Sequence, residues 1–128
     1  MTCFWDGIMK SLNKEDKDIL DIKDRNIYKL ISKLKELNCK TENMKWQNEK
    51  ITDNQIKENM EHIKTYDIKS ARNGYLCSTF DPFLFLLSYK LSKIINFNYC
   101  GRNIIYEPEN PKDKILKYKC NRRHFWCN

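Results

Sequence analysis

The sequence predicts an α+β domain, with N-terminal helices packed on a small C-terminal, mostly antiparallel sheet. Three observations predict it. Through the first two-thirds of the chain apolar residues recur at the spacing of a helix with one buried face. Beyond that the chain breaks into short β-prone runs separated by glycine and proline. With 128 residues, 41% of them hydrophobic, there is enough chain for one core, and a single domain spans residues 1–128.

The elements follow in order. In "CFWDGIMKSL" the residues Phe4, Ile8, Met9 and Leu12 share one helical face, so Cys3 falls at or beside a helix N-terminus. "NKEDKDILDIKD" reads as a polar connector with room for a helical turn. "DRNIYKLISKLKELN" places Ile27, Leu30, Ile31, Leu34 and Leu37 on one stripe, with Asp24 at its acidic start and Asn38 as its stop. A Thr52 or Asp53 cap opens a further helix carrying Ile56, Met60 and Ile63 on one face. Asn73-Gly74 punctuates the chain. The next segment takes Ser78 or Asp81 as its cap and Pro82 as its first helical residue. Its run from Phe83 to Leu87 is apolar almost all round and belongs in the middle of the fold. The runs "IINFNYC", "NIIYE" and "KILKYKC" then read as an antiparallel meander that closes with "NRRHFWCN".

Composition excludes several classes. No apolar run approaches the ~20 residues of a membrane span, and no secretory signal opens the chain, so a soluble protein is expected. The six cysteines then read as reduced thiols of a cytosol-like compartment. A net charge of +7 permits attraction to nucleic acid or to acidic surfaces, but the lysines are spread from Lys10 to Lys119 and read first as solvated surface. No glycine-rich phosphate loop is present, and no cofactor is expected.

Cys3 is open to three readings: a buried thiol, a metal ligand or a nucleophile. A thiolate is favoured at a helix N-terminus and beside an imidazole. Of the two histidines, His62 sits in a polar helical stretch, whereas His124 follows a strand and precedes Phe125 and Trp126. A helix-first cysteine with a strand-late histidine is the chain order of papain-like cysteine proteases. A competing reading takes Cys100, Cys120, His124 and Cys127 as a zinc site in a basic nucleic-acid-binding module, since C-x3-H-x2-C puts three ligands within one turn.

The ordered set of segments resembles the OTU (ovarian tumour) family of papain-like deubiquitinating cysteine proteases, above all the short, divergent OTU-like domains of large DNA viruses. "CFWDGIMKSL" is similar to the family's nucleophile helix. "DRNIYKLISKLKELN" looks like its second helix, "NGYLCSTFDPFLFLLSYKLSKIINFNY" like the central helix and following strand, and "NIIYE … KILKYKCNRRHFW" like the final strands ending in the catalytic histidine. The resemblance spans nearly the whole chain. It implies a papain-like OTU fold and a hydrolase that removes ubiquitin or a ubiquitin-like modifier from proteins, in a reducing cytoplasm, or in the host cytoplasm or a virion if the protein is viral. It makes Cys3 the nucleophile and His124 the general base. Trp5, Phe125 and Trp126 become substrate contacts. Where the family carries Asp-Gly-Asn before the cysteine, this chain has Met1-Thr2, and Trp126 stands where an acid or amide often follows the histidine. Asn128 or Asn121 is left for the third catalytic position. The same departures imply a rival, an inactive OTU-fold protein serving as a binding or structural component.

Overall fold

A computed structural model describes residues 3–72, 77–121 and 124–127, with backbone only for 72 and 77–80. Asn73, Gly74 and Asn128 lie outside the described residues. The architecture is α+β, with five α-helices and a six-stranded sheet among the described residues. The helices are α1 (Cys3–Ser11), α2 (Lys14–Leu20), α3 (Ile27–Glu36), α4 (Asp53–Thr65) and α5 (Cys77–Leu91), with a 3-10 turn at Ile68–Arg72. The strands are β1 (Lys45–Trp46), β2 (Glu49–Lys50), β3 (Ile95–Tyr99), β4 (Arg102–Glu107), β5 (Leu116–Cys120) and β6 (Phe125–Cys127). No helix among the described residues is long and apolar enough to cross a membrane.

Local chemistry accounts for most boundaries. Asn13 and Asp16 form a reciprocal capping box, which turns the expected polar connector into the full helix α2. Thr52 caps α4, and Gln55 returns the bond to the Thr52 N–H. In α3 the cap is Asn26, two residues after the expected Asp24; its Oδ1 accepts from the Tyr28 and Lys29 N–H groups. Asp24 instead accepts from the Asn26 N–H and pairs with Lys29 at 2.8 Å. Helix α5 begins at Cys77, so Pro82 is an interior residue where one backbone bond is forgone. Burial compensates: Phe83, Leu84, Phe85, Leu86 and Leu87 are all buried in the core.

Inside α5, Asp81 is half-buried and accepts a hydrogen bond from the Tyr106 hydroxyl. Burial pushes its carboxyl above the usual carboxylate range, and the Tyr106 bond opposes that rise without cancelling it. The folded chain therefore holds this proton more tightly than the unfolded chain does. Stability contributed by the protonated form is lost as pH rises from the ordinary value of 3.8 through the raised one. Asp81→Asn should remove that loss. Urea midpoints should show the variant gaining on the parent at pH 7 relative to pH 4, and an unchanged difference between the two pH values would refute the assignment.

The sheet order is β2-β1-β4-β3-β5-β6. This departs from a meander in two ways. Strand β5 lies on the far side of β3 from β4 and runs parallel to β3, with Ile95 opposite Leu116 and Tyr99 opposite Cys120. The connection 108–115 crosses the end of β3, held by Lys112 N–H to Ser92 O and Leu116 N–H to Ile94 O. The second departure is the β1–β2 hairpin, inserted from mid-chain and paired with β4. Its turn residues Gln47 and Asn48 both have positive φ, at 52° and 69°, which suits a two-residue hairpin turn.

Strand alternation then builds the core. Ile95 and Phe97 of β3, Ile104 and Tyr106 of β4, Leu116, Tyr118 and Cys120 of β5, and Phe125 of β6 are buried. Lys93, at the entry to β3, is only 4% exposed and pairs at 2.7 Å with Asp16, which is 1% exposed.

Candidate active site

Helix α1 packs against β6, the last strand of the sheet. The approach is close because Gly7 faces it: a Cβ there would stand 2.8 Å from Cδ1 and 2.9 Å from Cε1 of Phe125. Phe125 is in turn locked by Phe4, Phe97 and Tyr118, at ring-centre distances of 4.7, 5.5 and 5.2 Å. At the other end of α1, Ser11 Oγ and Tyr118 Oη share a hydrogen bond of 2.7 Å, which fastens the last turn to β5. Burial drives the Tyr118 phenol far above its usual range, so this tie stays protonated at all working pH values.

Between helix and strand runs a groove of about 580 Å³, lined by Cys3, Asp6, Gly7 and Lys10 of α1 and by residues 124–127. The structure thus brings Cys3 and His124 to one cavity from opposite ends of the sequence. Cys3 is the first residue of α1 and is 7% exposed. His124 is exposed, and its ring stacks on that of Trp126 with centroids 5.5 Å apart and planes 26° apart. Two hydrogen bonds set its backbone: the His124 N–H donates to Asn121 Oδ1 at 2.8 Å, and the Asn121 N–H donates to His124 O. Asn121 Oδ1 is therefore engaged with the backbone of His124.

The other expected site residues divide. Trp126 is half-buried on the groove, and Phe125 lines it while remaining 1% exposed, so it is a wall fixed by the core. Trp5 is a correction. It is fully buried, donates through Nε1 to Tyr66 Oη at 3.2 Å and packs edge-on to Phe4 and Phe83, so it is a core residue with no surface open to a substrate. Asn128 lies outside the described residues. The zinc set is not assembled: among the described residues no group of three or more His, Cys, Asp or Glu side chains is placed to hold a metal. Cys120 faces the core, whereas Cys100 is exposed at the β3–β4 turn.

Sequence reasoning passed over Asp6, Gly7 and Lys10, and weighed Cys127 only as a zinc ligand. A signal for the first three was present, since with Cys3 they form an i, i+3, i+4, i+7 stripe on one side of α1. The apolar stripe beside it drew the attention instead. Compared with protein-family models, with curated proteins and with solved structures, the chain has no match.

Proposed function

We propose that the chain is a papain-like cysteine hydrolase of OTU type that removes ubiquitin or a ubiquitin-like modifier from proteins. The observation that carries this reading is one groove lined by both Cys3, at the start of a helix, and His124, immediately before β6. The two-layer packing of helices on a mostly antiparallel sheet supports it. In the reaction His124 takes the Cys3 thiol proton, and the thiolate attacks the isopeptide carbonyl. The positive end of the α1 dipole, where Cys3 stands, is suited to take up the developing oxyanion. The tetrahedral intermediate collapses as His124 returns the proton to the leaving lysine amine. Water, deprotonated by the same imidazole, then releases the acyl group and restores the thiol. The groove between α1 and β6 suits an extended C-terminal tail.

The test is a ubiquitin probe ending in an electrophile. The folded parent should gain one probe mass on Cys3, and Cys3→Ala should gain none. His124→Ala should slow labelling by about 10²-fold or more. A folded parent that does not label would overturn the enzyme reading.

One observation favours a second reading, the inactive OTU-fold binding protein. The third catalytic position holds Trp126, whose ring covers the imidazole, and Asn121 Oδ1 is spent on the His124 backbone. On that reading the parent resists the probe while ubiquitin still binds.

A further inference from the structure

The sheet has one face against the helices and one open. Outward residues of β5 are exposed, and those of β3, β4 and β6 are exposed or half-buried, while their inward neighbours form the core. The register places Lys119 between Trp126 and Asn98, and Lys117 beside Asn96. At the far side of the same face Lys45 stands between Lys50 and Glu107. Four lysines thus share the open face with one carboxylate of the strands.

Their electrostatic situation differs from that of the four lysines held in ion pairs elsewhere in the chain. Lys29, Lys33, Lys93 and Lys112 all have a carboxylate partner within 3.3 Å. Among the described residues no ion pair engages Lys45, Lys50, Lys117 or Lys119. Beside this uncompensated charge stands a flat aromatic platform, the stacked His124 and Trp126 rings. Asparagine amides and Ile105 fill the centre, with Asn98 Nδ2 donating to Asn103 Oδ1 at 3.1 Å.

We propose that this open face binds single-stranded nucleic acid, with RNA as the first substrate to try. Each component answers to one part of the ligand. Unpaired lysines match phosphates, the ring pair offers a surface on which a base can stack, and amides can meet base edges without strict sequence demand. The charged part of the inference is independent of the thiol chemistry, because Lys117 and Lys119 lie outside the groove, whereas the ring pair borders both.

The experiment is fluorescence anisotropy on the full chain with a labelled single-stranded RNA of about 12 nucleotides at about 50 mM salt. Saturable binding is expected. Lys117→Glu/Lys119→Glu should weaken it at least about tenfold and make the slope of log K against log salt shallower by about 1.4, two phosphate contacts' worth. Trp126→Ala should weaken it about tenfold with the slope unchanged. Lys57→Glu/Lys64→Glu makes the same charge change on exposed positions of α4 and should leave the affinity within about twofold. Equal losses in both double variants would overturn the proposal in favour of net charge alone. Absence of saturable binding, tighter binding of a duplex, or displacement of the RNA by polyglutamate at equal charge would overturn it too, the last pointing to an acidic protein partner.

Discussion

Replacing Lys93 by alanine should cost about 3–5 kcal/mol of stability, because it leaves the Asp16 carboxylate buried without its counter-ion. The pair is 2.7 Å long with both side chains almost wholly enclosed. Asp16 has a second duty, accepting the Asn13 N–H at the start of α2, so it cannot simply turn outward to water without opening the capping box. Lys93 is equally tethered, since its backbone N–H donates to Ser88 O and its carbonyl accepts from Ser88 Oγ. The control is Asp16→Leu/Lys93→Met, which removes both charges. It should lie within about 2 kcal/mol of the parent, with about 1 kcal/mol of that being the lost cap. Urea unfolding with a constant slope would measure all three proteins. A single variant costing under about 1 kcal/mol would mean that the pair is not enclosed as described.

Gly7→Val should destabilise by about 2–3 kcal/mol and abolish probe labelling together. Helix propensity alone argues the other way, as glycine in a helix interior costs about 0.5–1 kcal/mol relative to alanine. The contact outweighs it. The Phe125 ring against the new Cβ is held on its other sides by three aromatic rings, so relief must come from separating β6 from α1. That movement carries His124 away from Cys3. A stable Gly7→Val that labels at the parent rate would show that the close approach is not needed. Gly7→Ala should fall between the two, and the near-ultraviolet dichroism of the aromatic cluster would follow the shift.

Four helices were legible because their apolar residues follow one period: Thr52 is a cap by residue type, and the buried run from Phe83 to Leu87 has no polar face to misread, whereas the Asn26 cap lies two residues past the expected Asp24 and the polar α2 showed no apolar period. The β1–β2 hairpin was not legible. Its strands are two residues each, its turn is Gln47-Asn48 without glycine, and three of its four strand residues are exposed, so no alternation of apolar and polar residues betrays it. The place of β5 was hidden for another reason. Local sequence fixes that a strand forms, whereas its position beside β3 depends on the long-range fit of Leu116 and Tyr118 into the core. At the site, the pairing of Cys3 with His124 in one groove could be inferred from chain order, but the fate of Trp5 could not. An aromatic two residues after a helical cysteine faces either way until its neighbours, here Tyr66 and Phe83, are known.

The strand order has a topological consequence. β6 joins the sheet only through β5, and β5 only through β3. His124 therefore stands beside an edge strand flanked by α1, so whatever loosens the sheet at this border also opens the groove.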